Sequence, residues 1–596
     1  MLRDIGAASW LVLETSLDAN LDEGVAIMHR LAEKSRERGH RHYEGVSLLN
    51  AAQVHRAQGE AALAVAEARD AADALGQSSS GSELLSARLA QAWASAHLGD
   101  LTQARTYLSQ AAETCPNASR PEWLLEATTI EVWYGDEDVA SSFLDELVSR
   151  DLNPALRAAA ELASVQLALR RGDLETADRE MPPEAPSVPR QEPGHLSRYL
   201  ALRAYVQSVR NAPVARDQLL RAAAIAGRQA SSFWANYCRV LLAVTPSKGA
   251  APGVGDIRQF DPVYLSLVAE VVIASLHRLD AASLEVVTGE AERRPERWRG
   301  SVRRAATDRP SEVSLHAARL LDVIGVAEDV PILRAIGRAA KRSPVYASLG
   351  RKLARRLAPR VFIEDQGRVE IVIGSSRLPG TDLRRKVLAL LCYLLTRERF
   401  SATRDEVVDA LWPDTAPEVA VNSLNQTVYF LRRVFEPGYK EDVSAGYVQH
   451  DSDVLWLDQD LISSRSQACH QLMGGLPDDP SPTDVLRLSE LYRNRFALDF
   501  SYEDWAVPYR DSQHVGYLRV IEGAVSRDLE TGHCARGILL ARRALEIEPE
   551  QESLELCLLR LYRATGAHSA AAEQYAHYAA YLRDELGVEP PALSAL

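Results

Sequence analysis

Asn422, Gln426, Tyr429 and Arg433 carry amide, phenol and guanidinium groups at spacings of four, three and four residues. On an α-helix these spacings put all four on one face, because each residue advances by about 100°. Asn425 and Arg432 flank that face, and no Asp or Glu lies between Val419 and Phe435. Such groups suit recognition of nucleic acid better than bond-breaking chemistry. Asn and Gln can grip an adenine edge with two hydrogen bonds, Arg can grip guanine, and any of them can hold a phosphate. A merely solvated helix face usually mixes Glu with Lys, so the missing acids favour DNA.

The elements that would position this face are legible around it. Leu424, Val428, Leu431 and Phe435 fall within about 60° of one another on the opposite side, as a core stripe needs. The expected helix runs from Pro417 to Phe435 and is stopped by Glu436-Pro437-Gly438. A first helix, Leu383 to Thr396, has a continuous apolar face that includes Val387, Leu391 and Leu395. A second opens on the capping box Thr403-Arg404-Asp405-Glu406, runs through Leu411-Trp412 and stops at Pro413. Residues 361–380 alternate apolar and polar side chains, as small antiparallel strands do. Downstream, Asp442-Val443 and Tyr447-Val448 around the turn Ser444-Ala445-Gly446 read as a hairpin, and Val454 to Leu457 as a last strand. The sum is a winged helix with its third helix in the major groove. Asn422, Asn425, Gln426 and Tyr429 then lie near bases, and Arg432, Arg433, Lys386 and Arg404 hold phosphates.

The run from Leu383 to Pro437 resembles the response-regulator-type winged helix of the Streptomyces antibiotic regulatory protein family. The matching features are Leu411-Trp412-Pro413, Asn422-Ser423-Leu424, Leu431-Arg432-Arg433 and Ser444 to Tyr447. Residues 463–596 resemble the helical bacterial transcriptional activator domain that follows it in that family. They do so through Asp504-Trp505, Ala541 to Leu545, Glu548-Pro549 and Glu585 to Pro591. The resemblance implies a sequence-specific transcriptional activator that binds direct repeats as two protomers and contacts RNA polymerase, and it adds Ser423 to the DNA-contacting set. One departure is order: many relatives carry this module near the N-terminus, whereas here roughly 350 residues precede it.

In that long first half a Gly, an acid, three variable residues and an Ala recur. The units are Gly59-Glu60 with Ala64, Gly99-Asp100 with Ala104, Gly135-Asp136 with Ala140, and Gly172-Asp173 with Ala177. The glycines are 40, 36 and 37 residues apart. Glycine can end one helix in the left-handed conformation, the acid can cap the next, and the alanine lets the two pack closely. A period in this range means stacked helical pairs. They resemble degenerate tetratricopeptide repeats, which implies a concave surface for a protein or peptide partner. A looser form returns at Gly532 and Gly566, with Gly537 where alanine is expected and Ala571 five beyond the second. The expected fold class is mainly α. Helical repeats would occupy 1–185, further helices 186–355, the winged helix-turn-helix 356–462 and the activator domain 463–596. Residues 182–193 and 246–256, rich in Pro and Gly, read as loops.

Charge is unevenly spread. The chain has a net charge of -14, yet residues 291–360 hold 17 Lys/Arg against 7 Asp/Glu. Residues 361–460 hold 11 against 17. An acidic winged helix is a poor partner for phosphates, so Arg351, Lys352, Arg355 and Arg356 in the basic run are expected to help by touching flanking phosphates. The alternative is a repeat-based scaffold or sensor whose winged helix binds protein.

The six cysteines form no C-x-x-C pair, and no histidine and cysteine grouping has metal-ligand spacing. No phosphate-binding loop, H-E-x-x-H or G-x-S-x-G occurs. No cofactor, metal site or enzymatic activity is expected, and no nucleotide-hydrolysing switch domain. The opening residues lack a basic region followed by an apolar core, so no secretion signal is expected. The most apolar stretch, Val263 to Leu279, is interrupted by Glu270, His277 and Arg278 and is shorter than the ~20 residues a membrane span needs, so no membrane association is expected. A reducing cytoplasm fits the scattered thiols.

Overall fold

The computed structural model describes residues 21–592 except 77–80, 184–194, 210–213, 229–230, 246–255, 340–345, 347, 442 and 585–586. Most of both expected Pro- and Gly-rich loops, at 182–193 and 246–256, falls outside the described residues. The chain forms two compact units, 1–353 and 354–596.

The first unit is all helix among its described residues, and the repeat chemistry works largely as the spacing implies. Gly59, Gly99 and Gly172 take φ of 81°, 101° and 76°, the left-handed region that ends a helix without a Cβ clash. Asp100, Asp136 and Asp173 each accept a backbone N–H from the first turn of the following helix. Glu60 makes no such bond. Ala64, Ala104, Ala140 and Ala177 are all buried, which is what close helix pairs demand. Gly135 is different. Its φ is -112°, and a Cβ there would fall 1.9 Å from the Glu131 carboxylate, which accepts the Asp136 N–H at 2.9 Å. Here glycine serves close approach, not handedness.

The apolar run Val263 to Leu279 folds into short helices, Val263–Leu267 and Ala269–Ser275, and a 3-10 turn. Its Glu270 is held by Arg297 through two bonds of 2.8 and 3.1 Å. No helix among the described residues is long and apolar enough to cross a membrane.

In the second unit, strands β1 (Val361–Glu364), β2 (Glu370–Ile373) and β3 (Ser376–Pro379) form an antiparallel meander. Helix α1 (Arg385–Leu395) and strand β4 (Ser401–Thr403) follow, then α2 (Arg404–Leu411) and α3 (Pro417–Phe435). The hairpin β5 (Val448–Asp451) and β6 (Val454–Leu457) pairs with β4 in the order β4-β6-β5. β7 (Ile462–Ser464) returns to lie parallel to β1, completing the sheet β3-β2-β1-β7. The wing therefore turns at Ser452, whose φ is 48°, and not at Ser444-Ala445-Gly446. The latter residues form a loop because Glu436 accepts bonds from Ser444 Oγ and the Ala445 N–H, diverting the backbone from a ladder.

Leu390, Leu391, Leu394 and the stripe Leu424, Val428, Leu431 and Phe435 meet both sheets in one core. That core continues into Phe496, Ala497, Phe500 and Ala506. The loop after β1 is bonded to the same segment: Ala497 N–H donates to Asp365 O at 2.8 Å and Gly367 N–H to Arg495 O at 2.9 Å. Beyond lie α4 (Arg465–Gly474), α5 (Pro482–Leu491), α6 (Val507–Thr531), α7 (Cys534–Ile547), α8 (Glu552–Ala564) and α9 (His568–Asp584). Gly532 and Gly566 are left-handed, with φ of 78° and 74°. Gly537 stands in the alanine position because a Cβ would come within 3.0 Å of Leu561 and 3.1 Å of Asp528.

Candidate nucleic-acid interface

α3 starts at Pro417, where a missing N–H costs nothing, and keeps its stripe buried against α1 and the sheets. Helical geometry then forces the remaining side chains outward. Asn422, Asn425, Gln426, Tyr429 and Arg433 are all exposed. Val419, 56% exposed, lies on the same face and was not singled out by its chemistry, because an exposed valine carries no polar signal. Arg433 sits 5.9 Å from the Tyr429 ring centroid.

Four other residues expected at DNA have duties inside the fold. Ser423 Oγ donates to Val419 O at 2.8 Å, a bond back to its own helix. Arg404 donates to Asn425 Oδ1 at 2.6 Å, fixing that amide so that its NH2 group points away from the bond. Arg432 donates to Val448 O at 3.1 Å and reaches His450 at 3.3 Å, tying α3 to the wing. Lys386 donates to Leu411 O and lies 5.5 Å from the Trp412 ring centroid, closing the last turn of α2. None of these bonds neutralises a charge. Among the described residues, Lys386, Arg404, Arg432 and Arg433 have no carboxylate in an ion pair.

Several acids of this region are engaged inside the fold. Glu364 pairs with Arg465 at 2.5 Å and Glu370 with Arg377 at 2.7 Å. Glu406 closes the capping box with Thr403. Asp365 is wholly buried and accepts the Ser466 N–H at 2.8 Å and the Ser466 hydroxyl at 2.5 Å. Burial outweighs those bonds and pushes its carboxyl up to about 6. Asp458 and Asp460 are both held by Arg355. That pairing corrects one expectation: Arg355 is committed to carboxylates of its own unit, which lie about 100 positions away and could not be assigned from the basic run. Asp451 and Asp453 stay exposed at the wing tip, and Asp382, Glu398, Asp405, Asp409, Asp414, Glu418 and Glu441 are exposed as well.

In the first unit a cavity of about 510 Å³ has a lining that includes Glu60, His97, Asp261, Arg293 and Arg294. Charges of both signs line it. Among the described residues no group of three or more His, Cys, Asp or Glu could hold a metal ion.

Comparison with known proteins finds a family match inside the second unit. Residues 488–596 match the family described as bacterial transcriptional activator domain. Two curated relatives, both called Regulatory protein AfsR, come from Streptomyces coelicolor and Streptomyces griseus. The first is 32% identical over 222 residues and the second 28% over 219, in each case 35% of this chain. The chain spans 21% of the length of each. A solved structure titled "Circular tandem repeat protein with novel repeat topology and enhanced subunit contact surfaces" aligns at 14% identity over 96% of this chain and 97% of its own. Its TM-score of 0.12 is too low to carry any argument about fold. The resemblance to the Streptomyces antibiotic regulatory proteins, first drawn from the motifs of 383–591, is thus borne out.

Proposed function

We propose that this chain is a sequence-specific DNA-binding transcriptional regulator of activator type. The observation that carries this reading is the outer face of α3: amides, a phenol and a guanidinium, exposed and free of acids from Val419 to Phe435 with Glu418 alone in the first turn, on a helix whose opposite side is locked into the core. In this reading α3 enters the major groove. Asn422, Asn425, Gln426 and Tyr429 face base edges, while Val419 offers apolar contact for a thymine methyl. Ser423 contributes mainly by holding the first turns of α3, since its hydroxyl is bonded to Val419 O. Arg433 takes phosphate directly. Arg404, Arg432 and Lys386 do so with the N–H groups their internal bonds leave over.

The activator domain match supports contact with RNA polymerase, and two protomers on direct repeats follow from the resemblance. The helical repeats of the first unit would hold a protein or peptide partner that controls the regulator. The domains we assign are helical repeats to residue 185, further helices to 355, the winged helix to 462 and the activator domain beyond. A soluble cytoplasmic protein without enzymatic activity completes the reading.

The test is selection of duplexes from a random-sequence pool by the full chain, followed by titration of two variants. Gln426→Ala should change which sequence is selected, at a cost of about 1–3 kcal/mol on the wild-type site. Arg433→Gln should weaken all duplexes alike. If both variants bind and select as wild type does, the face has been misassigned.

A further inference from the structure

We propose that Arg384, braced on Phe430, is a phosphate contact on the wall of the groove opposite Arg404 and Arg432. The proposal rests on α3 being the DNA-binding helix. A helix of about 10–12 Å diameter in a major groove about 12 Å wide has a sugar–phosphate strand on each side. It therefore needs cations on both flanks of its reading face. Around the α3 axis, Asn425 and Arg432 lie about 100–120° to one side of Gln426, and Arg404 is bonded to Asn425 there. The other flank, about 40–80° beyond Gln426, is formed by Phe430, Ser423 and Val434. None of these carries a charge.

Arg384 supplies the missing cation from outside the helix. It is the residue before α1, it is exposed, and its guanidinium lies 3.8 Å from the Phe430 ring centroid. Stacking occupies the flat face of the guanidinium and leaves the in-plane N–H donors along its edge for a partner. Among the described residues no carboxylate pairs with it. Its neighbour Arg385 shows the contrast, being bound to Glu503 at 2.9 Å. Adjacent arginines thus have different fates: one is neutralised at the junction with the following domain, the other is charged, oriented and held against the recognition helix.

The experiment measures affinity of the full chain for a duplex it has selected and for an unrelated duplex, across a salt series. Arg384→Gln should weaken both by about five- to tenfold at about 0.1 M salt and reduce the log–log salt slope by about one, leaving the preference between duplexes unchanged. Phe430→Leu should give a smaller loss in the same direction, and Arg385→Gln none. The proposal is overturned if Arg384→Gln matches wild type in affinity and slope. It is equally overturned if affinity falls with the slope intact, which means bracing alone, or if the selected sequence changes, which means base contact. A wild-type chain that binds no duplex with salt dependence removes the underlying reading as well, a result distinct from the other three.

Discussion

Arginine is used in opposite ways in two regions of this molecule. In the first unit it is internal cement. Arg170 is buried and donates to the carbonyls of Glu131 and Val132, Arg294 is buried against Glu290, and Arg297 against Glu270. Arg303 and Arg304 clamp Asp329 and Glu137. Around α3 the guanidinium groups of Arg384, Arg404, Arg432 and Arg433 bond to rings, amides and carbonyls, which hold them without cancelling their charge. Within the stretch of largest basic excess, Arg293, Arg294, Arg297, Arg303, Arg304 and Arg355 are thus tied to carboxylates, whereas among the described residues none of the four arginines around α3 is. Local charge counts do not show which charges survive when the counter-ions lie elsewhere in the chain.

The comparison breaks most visibly at Arg297. Arg297→Met should leave Glu270 buried without its partner and destabilise the first unit by about 3–5 kcal/mol. Hydrogen exchange of peptides from 260–310 in the full chain should rise accordingly, whereas Arg433→Gln should move stability by no more than about 0.5 kcal/mol. Equal costs for the two would end the distinction.

Asp365 is an acid that counts toward the negative balance yet lies buried. Asp365 has a folded pKa of about 6, above its unfolded value near 3.8. Its contribution to stability is therefore fully present below about 4 and is lost as pH rises through about 6. Two units correspond to roughly 3 kcal/mol. Asp365→Asn keeps an acceptor for the Ser466 N–H and a donor toward the Ser466 hydroxyl. The stability of the variant relative to wild type should rise by about that amount between pH 4 and pH 7, followed by denaturant titration at each pH. A flat difference would show that Asp365 ionises without penalty.

The smallest effect is expected at Arg355. Because its guanidinium is held by Asp458 and Asp460, Arg355→Gln should leave the salt slope of DNA binding unaltered and lower stability by no more than about 1 kcal/mol. A slope reduced by about one would return this residue to the phosphate contacts expected from the basic run.

The helix at Pro417–Phe435 was legible because its signals are local: a proline fit for the first turn, an apolar stripe at helical spacing, and a Glu-Pro-Gly stop. The hairpin was not, since Ser444-Ala445-Gly446 has good turn chemistry but loses it to Glu436, while the real turn at Ser452 needs only one tolerated left-handed residue. Nor was the internal use of Ser423, Lys386, Arg404 and Arg432, or the support of Arg384 by Phe430, 46 positions away.

Periodicity, capping boxes and helix-ending glycines act within a turn or two of the chain, so composition and spacing alone determined the repeats, the three helices and the side of α3 that faces out. Which charges survive was decided only by the tertiary structure. An ion pair such as Arg355 with Asp458 joins groups about 100 residues apart, and Coulomb attraction at contact distance depends on where the folded chain brings them, not on their order along it.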